Sequence, residues 1–116
     1  MRPAVAGLAL LMLPGDAAVA QQPADDLIPA LYRCADGAAV PVVYITPASG
    51  EGYAVALVAG RLVALRAAPS ASGARYLSRG TGEVLELWNK GDRLTVATGG
   101  DAPDRVIHAD CVATAP

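Results

Sequence analysis

The sequence predicts an all-β fold: a small antiparallel β-barrel of about eight strands, its first and last strands joined by a disulfide. Three observations carry this reading. Short runs alternate apolar and polar residues with period two, separated at even spacing by turns rich in Gly, Asp and Pro. Beyond residue 20, no stretch repeats with the period of a helix. The two cysteines, Cys34 and Cys111, fall in the first and the last of the alternating runs.

The 116 residues carry a net charge of −2 and are 53% hydrophobic, which is enough for one small domain. With no Phe and one Trp, the core has to come from Val, Leu, Ile, Ala and a few Tyr. A core that thin gains from a covalent staple. Closing the sheet into a barrel also removes the edges that a Val-rich sheet would otherwise expose to aggregation.

In chain order, residues 1–20 read as a cleaved signal peptide. Arg2 is a minimal charged start, Ala4–Leu13 an apolar run, Pro14-Gly15 a break, and Ala18-Val19-Ala20 a small-residue cleavage site. The apolar run falls short of the about 20 residues that span a bilayer. No Cys lies near the cleavage site, so the expected product is a soluble exported protein without a lipid anchor. Residues 21–30 are expected to be a flexible lead-in, and residues 31–116 the barrel domain. Strands are expected at Leu31–Cys34 and at Ala39–Thr46, where Pro41 confines the strand to an edge or a bulge. Tyr53–Val58 and Arg61–Arg66 form a hairpin about Ala59-Gly60, with Tyr53, Val55 and Leu57 on one face. Further strands begin at Arg75, run over Glu83–Trp88 and Arg93–Thr98, and close the chain at Arg105–Val112. In the last of these, Ile107, Ala109 and Cys111 share a face and His108 points outward.

In the oxidising compartment of an exported domain, two cysteines pair. The Cys34–Cys111 bridge ties the first strand to the last, and a loop of that length is worth about 4 kcal/mol in the chain-entropy model. Two Cys and one His are too few for a structural zinc site, so no metal and no cofactor is expected. Negative net charge and few aromatics give no nucleic-acid footprint. No enzyme is expected either. Ser72 and Lys90 can form a Ser–Lys pair only if the lysine is desolvated, whereas Lys90 lies in a solvated Asn-Lys-Gly-Asp turn. There is no Ser-x-x-Lys helix, no Gly-x-Ser-x-Gly elbow and no phosphate-binding Gly loop. Glu83 and Glu86 read as the solvated flank of a strand.

Two stretches remain. Ser70–Tyr76 (Ser-Ala-Ser-Gly-Ala-Arg-Tyr) is a turn of small residues behind Pro69, with Gly73 free to take a positive φ. Leu87–Asp92 (Leu-Trp-Asn-Lys-Gly-Asp) is a strand end running into a tight turn. Each alone reads as an ordinary loop between strands. Together, between the two cysteines of a small exported β protein, they resemble the MliC/PliC family, the membrane-bound or periplasmic inhibitors of c-type lysozyme. The family's Ser-Gly-x-x-Tyr motif falls on Ser72, Gly73 and Tyr76, and its Trp-x-Lys-Gly-Asp motif on Trp88, Lys90, Gly91 and Asp92. The resemblance runs from Tyr32 to Cys111.

That resemblance implies a small antiparallel barrel and a periplasmic or secreted protein of a Gram-negative bacterium, with c-type lysozyme as its partner. It implies that Ser72, on its narrow loop, and Lys90, on its turn, enter the lysozyme cleft. Gly73 would permit close approach, and Tyr76 would brace the loop or touch the enzyme rim. Arg75, Trp88, Gly91 and Asp92 would support the two loops. A sequence pI near 5.1 complements a basic target. The chain departs from the family pattern in two places. Leu77–Glu86 is longer than the corresponding family segment, which bears on how the Ser72 and Lys90 loops converge. Arg93 stands where the family carries acidic or small residues, adding a positive charge beside Lys90. The alternative is an envelope barrel of the same fold that binds a glycan or an envelope protein and not lysozyme. The oligomeric state is left open.

Overall fold

The computed structural model describes residues 24–80, 82–99 and 105–114; the signal-peptide reading of residues 1–20 lies outside them. Eight strands follow one another: β1 (Asp26–Arg33), β2 (Ala39–Thr46), β3 (Tyr53–Val58), β4 (Arg61–Ala68), β5 (Ala74–Ser78), β6 (Leu85–Lys90), β7 (Arg93–Thr98) and β8 (Arg105–Thr114). Each pairs antiparallel with the next, and β1 pairs with β8, so the sheet closes into a barrel. This is the all-β architecture that the alternation implies, and there is no helix among the described residues.

Closure is uneven. β1 pairs with β2 from Asp26↔Thr46 to Arg33↔Ala39, but with β8 only through Leu31↔Thr114, Tyr32↔Ala113 and Arg33↔Val112. The first strand thus begins at Asp26, not at Leu31. Residues 26–30, expected to belong to a flexible lead-in, are strand because the β2 backbone from Val42 to Thr46 gives them a ladder. Pro29 and Pro41 fit this lopsided pairing. A proline has no N–H and is accommodated in a non-hydrogen-bonded pair of an antiparallel ladder; here the partners are Val43 and Leu31. The missing donors then point to the opposite sides, where the β8 ladder stops at Leu31 and the β3 ladder at Val42. Pro41 therefore sits at a local edge inside a closed barrel.

The interior is filled by Tyr32, Val40, Val42, Ala54, Ala56, Val58, Leu65, Leu87, Leu94 and Val96. Tyr53, Val55 and Leu57 do share a face, the outer one, while Ala54, Ala56 and Val58 point inward. Cys34, directly after β1, is bonded to Cys111 in β8, so the staple lies beside the shortest ladder of the barrel.

Three expectations about single residues do not hold. The β7–β8 register slips between Leu94 and Val96 and again between Val96 and Ala97, and Asp110 has a φ of 52°. Such bulges break strict alternation. Cys111 is buried but Ala109 is exposed, so Ile107, Ala109 and Cys111 do not share a face. His108 is no outward-facing bystander: its Nδ1 lies 2.6 Å from Asp36 Oδ2. Glu86, read as solvated, is 5% exposed and forms an ion pair with Arg75. A buried carboxylate needs such a partner, and alternation alone does not reveal one.

Candidate functional site

The antiparallel pairing of β5 with β6 brings the two motifs together. Ala74 lies opposite Asn89 and Arg75 opposite Trp88, so the 69–73 loop emerges beside the turn at Gly91-Asp92. The loop folds over the outer side of β6. The Trp88 indole N–H donates to the Ser72 carbonyl at 3.0 Å, and the Ser70 hydroxyl donates to the same oxygen at 2.5 Å. Gly73 has a φ of 69°. A Cβ there would collide with the Asn89 carbonyl oxygen and come within 2.7 Å of Lys90 Cγ. Only glycine lets the loop lie this close to β6.

Anchoring the Ser72 carbonyl leaves its side chain exposed, and among the described residues its hydroxyl has no hydrogen-bond partner. Lys90 is exposed at the end of β6, with its Nζ 4.4 Å from the centroid of the Trp88 ring, a cation–π contact. No described carboxylate pairs with it. Arg93 stands opposite Lys90 across the turn and pairs with Asp92 at 3.9 Å, both side chains exposed. The edge of the barrel here presents a hydroxyl and two guanidinium or ammonium groups.

Behind the loops the supports are satisfied internally. Arg75 binds Glu86 and donates from Nη1 to the Pro69 carbonyl at 2.8 Å, which fixes the start of the loop. The Asn89 amide donates to Tyr32 Oη at 2.9 Å and approaches the carbonyls of Gly91 and Arg93 at 3.2 and 3.3 Å. Asn89 therefore ties the Lys90 turn to the barrel interior. Tyr32 shares a hydrogen bond with Tyr44 at 2.9 Å, and the Tyr44 and Tyr76 rings lie 5.5 Å apart. Burial, followed by the Tyr32 hydrogen bond, raises the Tyr44 phenol above its ordinary range. Burial, followed by Tyr32, does the same for Tyr76. Tyr76 lies opposite the buried Leu87 and packs against the core.

Ser72, Gly73, Trp88 and Lys90 are thus brought into one surface, with Arg75 and Tyr76 behind it and Gly91 and Asp92 at its turn. Tyr32, Tyr44, Glu86 and Asn89 are further supports that motif reading missed. Asn89 carried a signal: it alternates with Leu87, which places it on the inward face of β6. The β5–β6 connection lies at the end of those strands opposite the 69–73 loop.

A family model described as membrane-bound lysozyme-inhibitor of c-type lysozyme, MliC, matches residues 32–105. Among solved structures, the chain is similar to PliC-St, the periplasmic lysozyme inhibitor of C-type lysozyme from Salmonella typhimurium. The TM-score is 0.64 at 20% sequence identity, and the match covers 76% of this chain and 98% of that one. No match is found among curated protein sequences.

Proposed function

The chain belongs to the MliC family, and on that premise we propose that it inhibits c-type lysozyme in the periplasm by plugging the catalytic cleft with the Ser72 loop and the Lys90 turn. A lysozyme of this type carries two carboxyl groups in its cleft, one protonated and one ionised. The Ser72 hydroxyl hydrogen-bonds the acid, and the Lys90 ammonium makes a charge-assisted hydrogen bond to the carboxylate. One observation carries this reading: among the described residues, a hydroxyl without a hydrogen-bond partner and an ammonium without a carboxylate partner flank a close-packed glycine. Preorganised groups lose little freedom on binding. Trp88, Arg75 and Asn89 position the loops, and Arg93 is tempered by Asp92. Inhibition without turnover follows, with no residue acting as a catalyst.

Isothermal titration of the oxidised protein into a hen-type lysozyme tests this. The expected result is a 1:1 complex that weakens with salt and is displaced by a chito-oligosaccharide filling the cleft. Binding that a cleft ligand leaves untouched would overturn the plugging geometry.

A further inference from the structure

The β1–β8 seam gathers more chemistry than a disulfide needs. The Cys34 sulfur, an Asp36 carboxylate oxygen and a His108 ring nitrogen all lie within 4.8 Å of one another, and the Cys111 sulfur is bonded to that of Cys34. Counting two Cys and one His left a zinc site short of ligands; the fold supplies the fourth from the turn after β1. We propose that, when the Cys34–Cys111 bond is reduced, Cys34, Cys111, His108 and Asp36 form a tetrahedral site for a zinc-like divalent cation, which closes the barrel seam in place of the disulfide.

The ligand set is chemically coherent. Two thiolates, an imidazole and a carboxylate form a four-coordinate set of the kind zinc takes, with bonds of about 2.0–2.3 Å, and thiolates select zinc over harder cations. The two sulfurs are buried, while His108 and Asp36 face solvent in part and leave an entry path. One Asp36 carboxylate oxygen accepts from the Ala38 N–H at 2.9 Å, which leaves the other facing His108. His108 and Asp36 are already in contact, and separating them by the width of a bound ion needs only side-chain movement around an exposed turn. The electron balance is simple. A phosphine reductant takes up oxygen from water and becomes a phosphine oxide, and the two hydrogens of that water go to the sulfurs as thiols. Zinc binding then releases two protons as the thiols become thiolates. The metal restrains the same two points of the chain as the disulfide, one after β1 and one within β8.

The test uses the folded mature protein reduced by a water-soluble phosphine and titrated with Co2+, then Zn2+. The expected result is one equivalent of cobalt with the absorption of a tetrahedral dithiolate site, displaced by zinc, and a zinc-dependent rise in melting temperature. The oxidised protein should give neither. Cys111→Ser should abolish the spectrum. His108→Ala and Asp36→Ala should each weaken zinc binding by about a hundredfold or more, whereas Asp110→Asn on the neighbouring bulge should not. Far-UV circular dichroism distinguishes loss of fold from loss of site. A reduced chain that zinc neither binds nor restabilises would overturn the proposal. So would a cobalt spectrum and zinc affinity that His108→Ala and Asp36→Ala leave unchanged, since the dithiolate alone would then be the ligand.

Discussion

The motif loops and the β1–β8 seam are both places where distant parts of the chain meet, and they are held by opposite means. At the seam, three register pairs are backed by a covalent bond and by His108 against Asp36. At the motif loops there is no covalent tie. A glycine contact, an indole N–H and a buried Arg75–Glu86 pair hold the backbone, while Ser72 and Lys90 are left without hydrogen-bond or carboxylate partners in the described chain. A seam closes on its own chain, so its polar groups are satisfied there. The motif loops, which we propose bind lysozyme, keep Ser72 and Lys90 unsatisfied and place their own hydrogen bonds on the backbone behind them.

Mutations can break either half of this contrast. The largest effect is expected at the seam: replacing Cys34 and Cys111 together with Ala should lower unfolding stability by about 4 kcal/mol, read as a shift in urea midpoint. Inhibition by the fraction that remains folded should persist. Glu86→Ala comes next. It removes the carboxylate from a half-buried guanidinium and should cost about 1–3 kcal/mol, with the 69–73 loop loosened because Arg75 also holds the Pro69 carbonyl; hydrogen exchange at Ser72 and Gly73 reads the loosening. Gly73→Ala should cost about 2 kcal/mol for a left-handed alanine and its clash with Asn89. Its affinity for lysozyme should fall more than its stability, since the loop has to lift away from Lys90.

Lys90→Ala separates recognition from folding. Its melting temperature should stay within a degree or two, because an exposed cation over Trp88 adds little. Affinity for lysozyme should drop by roughly 2–3 kcal/mol, the scale of a charge-assisted bond. The smallest effects are on the pH axis. Tyr44 and Tyr76 are raised above their ordinary 10.0, so the folded barrel holds phenolic protons that the unfolded chain loses. Stability present below pH 10 should therefore decline as pH rises above it, which urea midpoints taken on either side of pH 10 would register. Asp36 is lowered from 3.8, so its contribution is present above that value and lost as pH falls through its folded value. On an exposed turn this acid effect should be slight.

Most of the barrel was legible in the sequence because alternation and turn chemistry are local. The strands at Ala39–Thr46, Tyr53–Val58 and Arg93–Thr98 stand where the pattern puts them. What alternation could not carry was pairing across the chain. Residues 26–30 look polar and Pro-bounded on their own and become strand only through β2. The slips in β8 depend on the register with β7, so neither the exposure of Ala109 nor the turn of His108 toward Asp36 shows in the run of residues. The site divides the same way. Ser72, Gly73, Trp88 and Lys90 stand in two recognisable motifs. Glu86 and Tyr44 support them from positions whose roles exist only once β5, β6 and β2 are in place.

The most direct test of the central claim is lysis of a Gram-positive cell-wall suspension by a hen-type c-type lysozyme. The oxidised protein and its Ser72→Ala/Lys90→Ala double variant are each added in increasing amounts at low and moderate salt. Cleft plugging by Ser72 and Lys90 requires stoichiometric inhibition by the parent protein, weakened by salt, and little or none by a double variant whose melting temperature is unchanged. Equal inhibition by both proteins, or none by a folded and disulfide-bonded parent, would contradict it.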